Sequence, residues 1–122
     1  MGTEKYKILL VDDEVDIAEL CADAFQMEGF QVTTAYRVDE ALDKMAVDDF
    51  DVIISDQNMP GKNGGELLKN VKESHSTALF YFTTGSVLTA ENEVLEMGAT
   101  GLFTKPYNVE DLITAVKIKL GV

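Results

Sequence analysis

The chain has 122 residues, of which 46% are hydrophobic and 26% charged, and its formal net charge at pH 7 is −12. The length fits one domain, the hydrophobic share is too high for a disordered chain, and no hydrophobic run approaches the roughly twenty residues of a membrane-spanning helix. The acidity argues against direct contact with nucleic acid or anionic membranes. A lone cysteine, Cys21, excludes an internal disulfide, and the charged N-terminus lacks the apolar core of a signal peptide, so we expect a cytoplasmic protein.

The first half of the chain alternates between short hydrophobic runs and helical stripes of hydrophobic residues. Residues 6–11, 30–34 and 51–55 are predicted to form strands, from their short hydrophobic runs or alternating pattern. A helix is predicted between the first two strands, with Gly29 as its C-terminal cap. The stripe of this helix comprises Ile17, Leu20, Cys21, Ala24 and Phe25, and that of the next helix comprises Val38, Ala41, Leu42 and Met45.

The second half of the chain continues the alternation. Prolines and glycines predict a loop containing Pro60, Gly61, Gly64 and Gly65. A third helix is predicted around 67–71, and further strands at 78–83 and 100–104. The last two helices carry stripes that comprise, for the fourth, Ala90, Val94 and Met97 before Gly98, and for the fifth, Val109, Leu112, Ile113, Val116 and Leu120.

This pattern predicts five successive strand–helix units in one domain, 1–122. Alternation of this kind is typical of a parallel sheet with helices on both faces. Right-handed crossovers restrict the topology, and the flavodoxin-like strand order 2-1-3-4-5 is the first expectation. The fold class is therefore α/β, of the (βα)5 flavodoxin-like type.

Polar side chains follow four of the predicted strands. They are Asp12, Asp13 and Glu14 after the first, Asp56 after the third, Thr83 and Thr84 after the fourth, and Lys105 after the fifth. The carboxyl ends of parallel strands meet at the edge where such sheets bind ligands, so these groups are expected to converge. An oxygen-only cluster suits Mg²⁺, and one carboxylate could act as the nucleophile in phosphoryl transfer.

Each of these residues also has a structural interpretation. The acids after the first strand could be cap and first-turn residues of the next helix, and Asp56 could begin a turn. Thr83 could be an ordinary strand residue and Lys105 a solvated charge. Their joint occurrence at one sheet edge favours a functional site. His75 is expected to be a solvated loop residue and Cys21 a core residue.

Several functions remain compatible with such a site at this stage. A phosphorylation-controlled signalling switch uses every group at the edge. A flavin-phosphate binding module is disfavoured, because Asp12, Asp13 and Glu14 would repel a phosphate. A phosphatase with an aspartate nucleophile is disfavoured by the spacing of the first acidic run.

An ordered set of motifs resembles the receiver domain of bacterial response regulators, the CheY-like family, over about residues 7–120. The matching pieces are ILLVDDE at 8–14, Asp56 followed by Asn58-Met59-Pro60, Thr83, Gly98-Ala99, and Lys105-Pro106-Tyr107. The resemblance implies a phosphorelay domain that accepts a phosphoryl group and switches protein–protein interactions. It also implies that the domain catalyses only its own phosphorylation and dephosphorylation.

The resemblance assigns a role to each matching residue. Asp56 would be the phospho-acceptor, and Asp12 and Asp13 would hold Mg²⁺ or Mn²⁺ together with Asp56 and the backbone carbonyl of Asn58. Thr83 and Lys105 would bind the phosphoryl group. The bond that follows Lys105, to proline, would be cis.

The resemblance also implies partners. The phosphodonor would be a sensor histidine kinase or a histidine phosphotransfer protein, and the recipient of the signal a downstream protein or an attached output domain. Whether the chain is a stand-alone receiver or part of a longer regulator stays open. Direct nucleic-acid or membrane binding is not expected, and the unphosphorylated protein is expected to be a monomer.

Two features depart from the family pattern. Leu102 stands where an aromatic switch residue is usual, with Phe103 beside it. The fifth strand lacks an acidic pair and the fourth helix is acidic, so dimerisation through the fourth helix, fifth strand and fifth helix is not expected. Gly85, two residues after Thr83, offers no side chain to shield a phosphoryl group from water.

Overall fold

The computed structural model describes residues 2–57, 64–74, 76–85 and 91–122, and within them strands and helices alternate. The strands are β1 Lys7–Val11, β2 Gln31–Ala35, β3 Val52–Asp56, β4 Leu79–Thr84 and β5 Gly101–Thr104. The helices are α1 Val15–Met27, α2 Val38–Val47, α3 Gly64–Glu73, α4 Glu91–Glu96 and α5 Val109–Leu120. The predicted order of elements is confirmed.

The strands form one parallel sheet in the order β2-β1-β3-β4-β5. This is the order expected from the sequence. All five residues of the central strand β3 are buried, because helices cover both faces of a parallel sheet. β2 and β5 lie at the two edges, so Asp12, Asp56 and Thr83 belong to the ends of the three central strands, whereas Lys105 follows the edge strand β5.

Two hydrophobic layers sandwich the sheet, and strand alternation divides the residues between them. The layer on the α2–α4 side contains Leu9, Val11, Ile53, Phe80, Phe82, Leu67, Leu68, Val71 and Val94. The layer on the α1–α5 side contains Ile8, Leu10, Val52, Ile54, Tyr81, Cys21, Phe25, Leu112 and Val116. The burial of Cys21 confirms its prediction as a core residue.

The predicted stripe of α1 was wrong in part. Leu20 is 68% exposed, whereas the residues that α1 buries are Ala18, Cys21, Ala22 and Phe25. Two of the four buried residues are alanines, so the buried face of α1 is made mostly of small side chains. Leu20 lies instead on the side of the helix that borders a groove beside α5.

Two further predictions near helix ends were wrong. Gly64 and Gly65 belong to the first turn of α3 rather than to a loop. A Cβ at Gly64 would lie 2.6 Å from the carbonyl oxygen of Asp56, so α3 begins against the end of β3 because this residue has no side chain. Met97 follows the last residue of α4 and is 49% exposed, so it does not extend that helix's buried stripe.

The helix ends show the expected chemistry elsewhere. Gly29 and Gly98 adopt positive φ angles, 95° and 102°, after α1 and α4, which confirms them as terminators. The side chain of Asn108 accepts a hydrogen bond from the backbone N–H of Glu110 at 2.8 Å and caps α5. Among the described helices, none has the length and apolar character needed to cross a membrane.

Candidate functional site

Strand alternation alone directs the candidate residues to one place. The residues of β1, β3, β4 and β5 on the α1–α5 side of the sheet include Leu10, Ile54, Tyr81 and Phe103. The residues two positions further along are Asp12, Asp56, Thr83 and Lys105. Because side chains alternate with a period of two, these groups point to the same side at the carboxyl edge of the sheet.

Lys105 is the centre of this cluster. Its Nζ lies 3.0 Å from Asp12 Oδ2, 3.1 Å from Asp56 Oδ2 and 2.9 Å from Glu14 Oε1. The side chains of Asp12 and Asp56 are only 4% and 6% exposed, whereas that of Glu14 is 56% exposed. One ammonium group therefore joins two buried carboxylates to a third at the rim.

The electrostatics of the cluster follow from burial and these contacts. Burial raises the pKa of Asp12 above its ordinary value, although hydrogen bonds from the Glu14 backbone N–H, at 2.9 Å, and from Lys105 oppose the rise. Partial burial disfavours the charged form of Lys105, but its hydrogen bonds to Glu14, Asp12 and Asp56 outweigh burial and raise its pKa. Lys105 is therefore a cation at neutral pH.

Three carboxylates of the site are arranged as a metal could use them. Asp12, Asp13 and Asp56 each offer an oxygen, and these oxygens all lie within 4.8 Å of one another. A donor set made only of carboxylate oxygens, two of them from buried residues, fits a hard divalent cation such as Mg²⁺. Asn58, whose carbonyl was predicted as a further ligand, lies outside the described residues, as does His75.

Thr83 lies where the sequence predicted it, beside Asp56. The two residues are directly opposite each other in the β3–β4 register, and Thr83 is buried. The backbone N–H of Gln57 donates to the carbonyl of Thr83 at 2.8 Å, which fixes the end of β3 against β4. The Lys105–Pro106 peptide bond is cis, as expected.

Glu14 was expected at this edge of the sheet, but the sequence assigned it no role in the site. It occupies the N-cap position of α1, yet its side chain makes no capping hydrogen bond and instead binds Lys105. The alternative interpretation of this acid as a helix cap is therefore confirmed for its position, but its side chain does not cap the helix. Its place directly after the acidic pair was the available signal, but nothing in the sequence said that it would reach a residue 91 positions away.

Three aromatic residues, Tyr81, Phe103 and Tyr107, lie on the side of the sheet opposite to Leu102. Leu102 packs against the α2–α4 layer, whereas Phe103 packs against the α1–α5 layer. The ring of Phe103 lies 6.0 Å from that of Tyr81 and 6.5 Å from that of Tyr107. Burial raises the pKa of the Cys21 thiol, which lies in the same layer, to about 11, so the thiol stays protonated at neutral pH.

A groove of about 460 Å³ opens beside the cluster, between α1 and the segment that follows β5. Its walls are largely apolar, with Ile17 and Leu20 on one side and Pro106 and Val109 on the other. Lys105 also lines it, so the groove is continuous with the carboxylate cluster.

A family model described as response regulator receiver domain matches residues 8–117. The chain belongs to this family. The family assignment confirms the resemblance inferred from the motifs, and it favours a receiver domain of a two-component signalling system over a flavin-binding module or a phosphatase.

Individual relatives agree with this assignment. The transcriptional regulatory protein CpxR of Escherichia coli (strain K12) is 34% identical over 111 residues, which are 91% of this chain and 47% of that protein. The chain thus spans about half the length of the curated relatives it matches.

Solved structures agree as well. The chemotaxis response regulator CheY4 of Vibrio cholerae has a TM-score of 0.82 and 35% identity, covering 93% of this chain and 97% of that one. The response regulator protein TrrA of Thermotoga maritima, solved in complex with Mg²⁺-BeF, has a TM-score of 0.83 and 31% identity, covering 94% and 98%.

Proposed function

We propose that this chain accepts a phosphoryl group on Asp56, from a phosphohistidine, in a reaction that requires Mg²⁺ or Mn²⁺. One observation carries the proposal: the Asp56 carboxylate lies 3.1 Å from the Lys105 ammonium and within 4.8 Å of ligand oxygens from Asp12 and Asp13. A carboxylate nucleophile, the ammonium group of Lys105 and a group of oxygens able to bind a metal ion therefore lie next to one another. Phosphoryl transfer needs this combination of positioning and charge neutralisation.

The reaction follows from these positions. A carboxylate oxygen of Asp56 attacks phosphorus, the P–N bond of the phosphohistidine breaks, and the bonding electrons leave with the imidazole. Asp12, Asp13 and Asp56 would hold the divalent ion, which supplies positive charge next to the phosphoryl oxygens when it is bound. Lys105 places a second positive charge beside them. The activity is confined to phosphorylation and dephosphorylation of the chain itself.

The neighbours of Asp56 give the phosphoryl group a means of changing the protein. Thr83 is opposite Asp56 in the sheet, so its hydroxyl is positioned to move toward a new phosphoryl oxygen. Lys105 would exchange a carboxylate partner for the same group. Thr83 belongs to β4 and Lys105 directly follows β5. Their movement would therefore change the structure along the β4–β5 edge of the domain and alter its contacts with other proteins.

The groove beside the cluster suits the phosphodonor. A phosphohistidine must enter at the Lys105 end, and the apolar walls formed by Ile17, Leu20 and Val109 would bury part of the donor protein around it. The donor would be a sensor histidine kinase or a histidine phosphotransfer protein, which places the reaction in the cytoplasm. Domain 1–122 would signal, as a monomer before phosphorylation, to a protein target or an attached output domain.

Intact-protein mass spectrometry after incubation with acetyl phosphate and Mg²⁺ tests the proposal. Acetyl phosphate can replace phosphohistidine as the donor, with acetate as the leaving group instead of imidazole. Wild-type protein should therefore gain the mass of one phosphoryl group. Asp56→Asn should gain none, and wild type treated with a chelator should gain none. Equal labelling of Asp56→Asn and wild type would overturn the assignment of Asp56.

A further inference from the structure

Lys105 and a divalent cation need the same carboxylates. Two of the ion pairs of Lys105 are made with Asp12 and Asp56, which also belong to the group of oxygens that could bind a metal. A cation that enters this group meets an ammonium already held at 3.0 and 3.1 Å from two of its ligands. Entry of the metal therefore requires Lys105 to give up part of its contact with Asp12 and Asp56.

Glu14 provides the alternative partner. Its Oε1 lies 2.9 Å from the same Nζ, and its side chain is the exposed member of the set. From the proposed function of the site, we infer that Glu14 is a positioning residue that retains Lys105 at the rim when the metal takes the buried carboxylates. The ammonium then keeps one anionic partner and stays next to the point where a phosphoryl group arrives.

The local structure equips Glu14 for this task. It is the N-cap residue of α1, which fixes its backbone at the start of a regular helix, but its side chain makes no capping hydrogen bond. Its backbone N–H donates to Asp12 Oδ1 at 2.9 Å, so its position is tied to that of a metal-site carboxylate. Because the side chain is half exposed, its charge carries a small desolvation cost with or without Lys105.

Glu14 and Lys105 should have coupled effects on the affinity for Mg²⁺, and the sign of this coupling follows from their contact. Without the Glu14 charge, Lys105 binds Asp12 and Asp56 alone and competes more strongly with the metal. Glu14→Gln should therefore weaken Mg²⁺ binding. Part of that loss would be direct, since the substitution removes a negative charge near the metal, and this part does not depend on Lys105.

A double-mutant cycle separates the two parts. Isothermal titration with Mg²⁺ would compare wild type, Glu14→Gln, Lys105→Met and the double variant. The substitution at Glu14 should raise the dissociation constant about twofold to fivefold more when Lys105 is present than when it is methionine, the range expected for a partly exposed ion pair. An equal effect in both backgrounds would overturn the inference.

Two further variants sharpen the test. Asp16→Asn removes an acidic charge from the same first turn of α1 and should show no coupling to Lys105. Glu14→Asp keeps the charge and should recover part of the coupling. Absence of Mg²⁺ binding in wild type would overturn the proposed function itself, whereas binding without coupling would overturn only the role of Glu14.

Discussion

Replacing Lys105 by methionine should destabilise the metal-free protein substantially. The substitution keeps the length and apolar stem of the side chain but removes the cation that lies within 3.1 Å of Asp12 and Asp56. Both carboxylates are almost fully buried, and breaking a buried ion pair costs about 3–5 kcal/mol. The contact with half-exposed Glu14 adds less than about 1 kcal/mol. Because the cluster opens onto a groove that water can enter, we expect the lower end of this range, a loss of about 3 kcal/mol in the free energy of unfolding.

The pH dependence of this loss has a definite sign. The pKa of Lys105 is raised in the folded state, so its stabilising effect is complete below its ordinary pKa of 10.5 and disappears only as the pH rises through the folded value. At acidic pH the effect shrinks for another reason. The pKa of Asp12 is raised above 3.8, so this carboxylate loses its charge early as the pH falls. The difference between wild type and Lys105→Met should therefore narrow toward pH 4.

Urea unfolding followed by circular dichroism, without Mg²⁺, measures the loss directly. Lys69→Met replaces an exposed lysine of α3 and serves as the matched control, with a change expected within about 0.5 kcal/mol. Added Mg²⁺ should stabilise Lys105→Met more than wild type, since the metal meets no competing ammonium there. A loss no larger than that of the control, or a loss independent of pH, would refute the reasoning.

Three other substitutions test separate parts of the structure. Asp12→Asn should melt a few degrees higher than wild type at neutral pH without metal. Burial raises the pKa of Asp12, so the stability of the wild type falls as the pH rises through that pKa. Calorimetry across pH measures the difference, and an unchanged melting temperature would contradict it. Gly64→Ala should cost about 1–3 kcal/mol in chemical unfolding, because the new Cβ would lie 2.6 Å from the Asp56 carbonyl and 2.9 Å from the Phe82 ring. Among the described residues, no atom lies within 4 Å of a Cβ built at position 85. Gly85→Tyr should therefore slow loss of the phosphoryl group by shielding it from water, as measured by decay of the phosphorylated mass; an unchanged decay rate would remove this role of position 85.

The fold was predictable because hydrophobic periodicity changes clearly between period two and period 3.6 along this chain. Right-handed crossovers restricted the topology, and the flavodoxin-like strand order was the first expectation among those that remained. The convergence of Asp12, Asp56, Thr83 and Lys105 followed from strand ends and alternation. These signals depend only on spacing along the sequence, so they can be read without any knowledge of tertiary contacts.

What the sequence could not provide depends on tertiary contacts. Leu20 fits a hydrophobic stripe as well as Ala18 does, and only the position of α1 against the sheet decides that Ala18 is buried and Leu20 is exposed. Glycine is typical of loops, so the sequence predicted Gly64 in a loop, whereas the structure places it in the first turn of α3 against the end of β3. Glu14 directly precedes α1, and its contact with Lys105 exists only after β1 and β5, which are not neighbours in the sheet, have both assembled.

Trapping the product of phosphorylation locates the modified residue, proposed to be Asp56, most directly. Borohydride reduces an acyl phosphate of aspartate to homoserine, which peptide mass spectrometry assigns to a position. After incubation with acetyl phosphate and Mg²⁺, wild-type protein should contain homoserine at position 56 and at no other aspartate. Homoserine at position 12 or 13 instead, or a phosphorylated protein that yields no homoserine, would contradict the assignment of Asp56.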